Sequence, residues 1–126
     1  MSFLPESDRR YLASKGYNYE EVEDQGNKAV VLKDRTLPAN RYDVASADIL
    51  IVLPSGYPDV APDMFYLMPW VKLVTTNRFP DKADHPFDYA GRKWQRWSRH
   101  NSEWRVGIDG LWTMIKRIEF ALEKAA

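Results

Sequence analysis

Residues 53–66 read LPSGYPDVAPDMFY and join two apolar segments of the chain. Three prolines, Pro54, Pro58 and Pro62, fall close together in this stretch. Proline fixes its own φ angle and pushes the preceding residue toward an extended conformation, so the chain can leave a strand in only a few directions. We therefore expect a rigid connection between two strands, with Tyr57 held against the fold inside the loop.

The segments on either side of this loop have the pattern of β-strands. AVVLK (29–33) and the run that ends in ILIVL (49–53) precede the loop, and MFYLM (64–68) follows it. Continuous apolar residues favour strands that are covered on at least one face. A weaker alternation over residues 17–23 adds a further strand. The sequence therefore predicts about four strands that follow one another as a meander.

Helix signals lie at both ends of the chain. Pro5 precedes a short run with acidic residues in its first turn, and Gly16 ends that run. From Asp109 onward, apolar residues recur on one helical face: Leu111, Ile115, Ile118 and Leu122. Residues 69–107 lack clear periodicity, and we expect a packed irregular segment there. The predicted fold is α+β, a four-stranded antiparallel meander with the N-terminal and C-terminal helices on one face.

Composition narrows the class of protein. The 126 residues suit one domain, over residues 1–126, with one hydrophobic core. Lysine plus arginine equals aspartate plus glutamate at 18 each, which argues against general nucleic-acid or membrane-surface binding. The chain has no cysteine, and no run approaches the ~18 apolar residues of a membrane span. We expect a soluble cytoplasmic protein without disulfides, thiolate metal sites or thiol nucleophiles.

The proline stretch resembles the YPxxPP segment of ubiquitin-conjugating enzymes, with Tyr57, Pro58 and Pro62 at the matching positions. In that fold the segment follows the third strand of a meander, and a tryptophan, here Trp104, comes shortly before a later helix. The whole chain is similar to the bacterial group called prokaryotic family E. The matching pieces are FLPESDRRYL, GYPDVAPDMFYL, WQRWSRHNSEWR and GIDGLWTMIKRIE. The resemblance implies a ubiquitin-conjugating-enzyme-like domain over essentially the whole chain.

The resemblance also implies that the catalytic cysteine is missing. Active enzymes carry it downstream of a His-Pro-Asn motif, whereas here His85-Pro86 is followed by Phe87. The family's usual separation leads to Gln95, and counting back from the tryptophan before the last helix leads to Arg96. An amide or a guanidinium cannot carry an activated acyl group as a thiolate does. Thioester transfer is therefore not expected.

Ser98 is the nearest hydroxyl, and His100 follows two residues later. A serine beside a histidine can form an oxyester, but we expect side chains two residues apart to face apart in a strand and not to meet on a helix. We therefore favour a surface or packing serine and keep these two residues as weak catalytic candidates. The two histidines, His85 and His100, lack a clear carboxylate partner in the sequence, so no metal and no cofactor is expected.

Residues 92–105 interleave tryptophan with arginine, the residues enriched at interface hot spots. The predicted binding residues are Arg92, Arg96, Trp97 and Arg99. Among the tryptophans, we expect Trp97 to be exposed and Trp104 to lie in the core. The same pattern is typical of surfaces on which the bases of a single-stranded nucleic acid stack. The zero net charge of the chain disfavours nucleic-acid binding.

The residues favour a non-catalytic component of a bacterial ubiquitin-like modification or processing system. It would bind or scaffold a ubiquitin-like protein and/or its activating enzyme. A metalloprotease-type deconjugating enzyme is a third partner that the resemblance implies. Two alternatives stay open. One is an acyl transferase that carries the ubiquitin-like protein as an oxyester on Ser98, and the other is single-stranded nucleic-acid binding by the Trp/Arg segment.

Overall fold

The computed structural model describes residues 2–100 and 103–126. The elements follow the order α1 (Glu6–Ser14), β1 (Tyr19–Asp24), β2 (Asn27–Thr36), β3 (Ser46–Val52), β4 (Phe65–Met68), β5 (His85–Tyr89), β6 (Arg92–Trp97) and α2 (Leu111–Lys124). The strands form one sheet in the order β1-β2-β3-β4-β6-β5, and all neighbours are antiparallel. The α+β class is confirmed. The strand count of four was wrong, because the described residues form six strands.

The two additional strands form a hairpin inside the segment that was expected to be irregular. β5 and β6 are joined by Ala90 and Gly91, which have φ angles of 52° and 76°. A two-residue turn of this kind is usually marked by Asn-Gly or Asp-Gly, and alanine gives no such signal. The hairpin joins the sheet through β6, which pairs with β4 and leaves β5 at the edge.

Both helices pack on one face of the sheet, as expected. α1 buries Leu12, and α2 buries the predicted stripe together with Met114. They meet alternate side chains of the strands: Val30, Leu32, Ile49, Ile51, Phe65, Leu67 and Trp97. Burying one such side chain contributes about 1.5–3 kcal/mol, so this layer is the main source of stability. Within the part of the chain that the structure describes, neither helix is long and apolar enough to cross a membrane.

The opposite face of the sheet carries a second, smaller cluster. Its members are Ala29, Val31, Leu50, Tyr66, Tyr89 and Trp94. The Tyr66 ring stacks on Phe87 at a centroid distance of 4.2 Å. The Tyr89 hydroxyl donates to the Asn27 carbonyl at 2.5 Å, which links β5 to the beginning of β2. Contacts between strands that are not neighbours require the sheet to curl around this cluster.

Candidate functional site

Asp8 anchors the proline loop to the beginning of α2. The Tyr57 hydroxyl donates to Asp8 Oδ2 at 2.5 Å, and the Leu111 N–H donates to Asp8 Oδ1 at 3.0 Å. Burial and the neighbouring carboxylate raise the pKa of Tyr57 far above its ordinary value, so the phenol stays protonated as the donor. A Cβ on Gly110 would lie 2.7 Å from Asp8 Oδ1, so this approach needs glycine. Tyr57 is thus held against the fold, as its place in the loop predicted.

Trp104 covers the outside of the proline loop. Its indole Nε1 donates to the carbonyl of Pro58, an exposed residue of the loop, at 2.8 Å. Pro62, the last proline of the loop, is buried. The prediction that Trp104 is a core residue was wrong, because its side chain is only half-buried. It binds the exposed backbone of the loop rather than the cluster under α2. The proline motif is therefore fixed from inside by Tyr57 and from outside by Trp104.

Gln95, at the position that the family spacing assigns to the nucleophile, is fully buried in β6. Its Nε2 donates to the carbonyls of Val71 at 3.0 Å and Ala83 at 2.8 Å. Its Oε1 accepts from the Val71 N–H at 3.0 Å and from Trp97 Nε1 at 3.2 Å. All of these partners belong to the fold. The position therefore fastens the connection between β4 and β5 to the sheet and is closed to a substrate.

The His-Pro dipeptide lies directly beside this position. Pro86 is the register partner of Gln95, and His85 is the partner of Arg96, across the β5–β6 pair. The His85 side chain is exposed, and its Nδ1 lies 2.9 Å from Asp84 Oδ1. The strand pairing thus places His85 and Pro86 opposite Arg96 and Gln95, the two positions to which the two counts lead.

Trp97 is the clearest error among the predicted binding residues. It was expected to be exposed, but its relative exposure is 0%. Its ring stacks on Phe65 at 5.3 Å and meets the edge of Tyr42 at 6.2 Å, inside the cluster under the helices. Trp94 is buried on the opposite face of the sheet. Neither ring offers a stacking surface to a single-stranded nucleic acid.

The three predicted binding arginines do not share one surface. Successive residues of a strand point to opposite faces. Arg92 lies over the Trp94 ring at 5.4 Å on the face away from the helices, and Arg96 points the same way. Arg99 lies over Trp97 at 5.2 Å on the helix side and donates to the carbonyls of Asp81 and Ser98 at 3.2 and 3.1 Å. Each arginine thus lies over a tryptophan ring, but within the described residues Arg99 also has hydrogen bonds to the backbone, which Arg92 lacks.

Ser98 and His100 both line a groove of about 820 Å³ between α2 and the end of β6. The expectation that these two side chains would face apart in a strand was wrong, because residues i and i+2 of an extended chain lie on the same side. His100 Nδ1 lies 3.0 Å from Asp63 Oδ1, while Ser98 Oγ contacts Met64 Sδ at 4.0 Å. Within residues 2–100 and 103–126, no hydrogen bond joins Ser98 to His100. The groove holds an Asp–His pair near a hydroxyl, not an assembled triad.

The two histidines do have carboxylate neighbours, contrary to the interpretation of the sequence. His85 contacts Asp84 and His100 contacts Asp63, one carboxylate each. Among the described residues, no group of three or more histidine, cysteine, aspartate or glutamate side chains is placed to hold a metal ion. The two histidines belong to different surfaces of the molecule, β5 and the groove.

The sheet begins as a four-stranded meander, helices from both ends of the chain cover one face, and a proline loop joins the third and fourth strands. These features define a ubiquitin-conjugating-enzyme-like domain. A family model described as "Prokaryotic E2 family E" matches residues 4–125, and the chain belongs to this family. The searches of curated proteins and of solved structures gave no significant match. Membership indicates a component of a ubiquitin-like pathway, and the chain has no cysteine for a thioester.

Proposed function

We propose that this protein is a non-catalytic component of a bacterial ubiquitin-like modification or processing system. It acts in the cytoplasm, where it binds or scaffolds a ubiquitin-like protein and/or its activating enzyme. A metalloprotease-type deconjugating enzyme is a further proposed partner. The observation that supports this proposal is Gln95, because a buried amide bonded only to the fold occupies the position to which the family's usual separation leads, and neither it nor the guanidinium of Arg96, the other counted position, can act as a thiolate.

The proposed contacts are the arginines that the fold leaves accessible. Arg92 is exposed and Arg96 half-buried on the face away from the helices. The Nε atom of Arg96 is itself buried and, within the described residues, has no hydrogen-bond partner, so a partner protein would meet only the outer part of this guanidinium. Arginine presents several donors in a fixed plane and is enriched at interface hot spots, so it suits recognition of a partner's carboxylates or carbonyls.

Two measurements test the proposal. The protein is incubated with the candidate ubiquitin-like protein, the activating enzyme and ATP, and its intact mass is measured under denaturing conditions. We expect no covalent adduct. Calorimetric titration of the same two partners should show binding to at least one of them. A covalent adduct would contradict the non-catalytic role, and lack of affinity for both partners would contradict the binding role.

The groove favours one second candidate, an acyl transferase that uses Ser98. Asp63 orients His100, which would accept the Ser98 proton while Oγ attacks the thioester carbonyl of the charged activating enzyme. The C–S bond breaks, an oxyester forms on Ser98, and the leaving sulfur takes the proton from His100 and departs as a thiol. This candidate predicts an adduct that hydroxylamine releases and that Ser98→Ala abolishes. Ser55→Ala, a change of an exposed serine in the proline loop, is the matched control.

A further inference from the structure

An exposed phenylalanine stands between two lysines on the surface of α2. Phe120 is 63% exposed, and Lys116 and Lys124 are exposed four residues before and after it. Residues spaced by four lie in one row on a helix, and Lys124 Nζ is 5.7 Å from the Phe120 centroid. All three side chains line the groove next to Ser98 and His100. We refer to Lys116, Phe120 and Lys124 as the Lys–Phe–Lys row.

The opposite wall of the groove is also cationic. Lys82 and Arg99 lie there, and five cationic side chains line the groove against three acidic ones, Asp63, Asp81 and Glu103. Asp63 faces His100. Over residues 2–100 and 103–126, no ion pair with a carboxylate is formed by four of these cations: Lys82, Arg99, Lys116 and Lys124. The groove therefore complements a negatively charged ligand.

The groove has an apolar floor and the length of a short extended peptide. Phe65, Ile118 and Ala121 contribute to the floor. The lining runs along α2 and its C-cap from Thr113 to Ala125, which corresponds to about 18 Å at the helical rise. An extended chain of about five or six residues covers the same length. A compact ligand would contact only part of it.

We propose that this groove binds an extended segment of a partner protein in which one apolar residue lies between two acidic ones, with the pattern acid-x-apolar-x-acid. Lys116 and Lys124 are about 12 Å apart along the helix, and residues i and i+4 of an extended chain are about 13 Å apart. The residue at i+2 points to the same side and meets Phe120. The inference rests on the proposed binding function and names the chemistry of the partner segment.

Fluorescence anisotropy with a labelled peptide tests the pattern. The probe contains Glu-Ser-Leu-Ser-Glu, and the control peptide has the same residues in the order Ser-Glu-Glu-Ser-Leu. We expect the probe to bind about tenfold more tightly or better, with an affinity that falls as ionic strength rises. Equal affinities, or no binding of the probe, would overturn the proposal. A competition assay compares dodecanoate with the unlabelled peptide. If dodecanoate displaces the probe at a lower concentration than the peptide does, the groove suits a small amphiphile and the proposal is overturned.

Substitutions in the Lys–Phe–Lys row test whether the probe binds in the groove. Lys116→Glu with Lys124→Glu should reduce probe affinity about tenfold or more, and Phe120→Ser should weaken it by a smaller factor. These side chains are exposed, so the melting temperature should stay nearly constant. Lys15→Glu changes an exposed lysine outside the groove and should leave probe affinity unchanged. Equal losses in Lys15→Glu and the double variant would show general charge attraction and overturn the site.

The same double variant separates this proposal from the proposed function. The intact ubiquitin-like protein and activating enzyme are titrated against it and against the unaltered protein. If the variant binds both partners with unchanged affinity, the groove is not their docking site, whereas the binding function stands. If the unaltered protein binds neither partner, the proposed function fails, whatever the peptide result.

Discussion

The buried amide of Gln95 and the exposed Lys–Phe–Lys row differ in how their polar groups are used. Gln95 makes four hydrogen bonds, all to groups of its own chain. Lys116 and Lys124 form no ion pair within the described residues. A polar group satisfied inside the fold contributes to stability, while an unpaired charge on a groove is available to a ligand. The comparison separates a structural position from a candidate binding position within one domain.

Substitution of Gln95 should have the largest effect on stability. Gln95→Ala leaves the partners of four hydrogen bonds unsatisfied in the core and should lower the free energy of unfolding by about 3–5 kcal/mol. Gln95→Met, which keeps the volume, should lose nearly as much if hydrogen bonding is the cause. Urea unfolding measures both. A loss below about 1 kcal/mol would contradict the view that Gln95 is a structural residue, in contrast to the groove lysines.

Gln95→Cys restores a thiol at the position that the family spacing assigns to the nucleophile. Because the side chain at this position is fully buried, we expect no thioester adduct after incubation with a charged activating enzyme. Intact-mass measurement decides the point. An adduct would show that the position opens to a partner, and the distinction between structural and binding regions would then fail.

Gly110→Ala should have the next largest effect, a loss of about 2–3 kcal/mol. The new Cβ would lie 2.7 Å from Asp8 Oδ1 in the anchor of the proline loop. The φ angle of Gly110 is −162°, so the cause is the contact and not backbone strain. Gly16→Ala, where no atom lies within 4 Å but φ is +70°, is the control for strain. Combined with Asp8→Ala, the Gly110 substitution should cost little more, since the clash is gone.

Arg99→Ala tests whether Arg99 is a structural residue, like Gln95, or a binding residue, like the lysines of the groove. Its contacts with Trp97 and with two backbone carbonyls predict a loss of about 1 kcal/mol, against at most about 0.5 kcal/mol for Arg92→Ala. Thermal unfolding under one set of conditions compares the two variants. If they melt alike, Arg99 belongs with the free groove cations. Partner affinity of Arg96→Ala should be measured separately, because Arg96 and Arg99 lie on opposite faces.

The smallest effect concerns pH. Hydrogen bonds from Arg105 hold the pKa of Asp109 well below its usual range. A depressed folded-state pKa means that the ionised carboxylate contributes stability above about pH 4, and this contribution is lost as pH falls further. Asp109→Asn should therefore show a shallower loss of stability than the unaltered protein between about pH 4 and pH 2, by urea unfolding. Parallel profiles would contradict a stabilising role for this pair.

Periodicity predicted most of the fold. The stripe of α2 is buried as expected, and the segments 29–33 and 64–68 fall within β2 and largely within β4. The β5–β6 hairpin was missed for two physical reasons. Its turn carries alanine where a positive φ usually selects asparagine or glycine, and β6 has large side chains on both faces because both are covered.

The site was predicted less completely, because its contacts join distant parts of the chain. Once β6 is recognised as a strand, alternation places Trp97 with Gln95 on the helix-covered face, so its burial follows. The Asp8–Tyr57 bond spans 49 residues, and no local pattern reports it. Phe120 did leave a signal, since it is an aromatic residue off the apolar stripe of α2.

The hydrogen bonds of Gln95 also affect the order in which parts of the sheet unfold. Its bonds reach back 24 residues to Val71 and 12 residues to Ala83, so one side chain closes the connection that precedes the hairpin. The connections between successive strands from β1 to β4 have at most 12 residues, against 16 between β4 and β5, so closing them costs less chain entropy. We therefore expect the β5–β6 hairpin to be the last unit to join the sheet and the first to leave it. In native-state hydrogen exchange, the β6 amides should exchange through a lower-energy opening than those of β3.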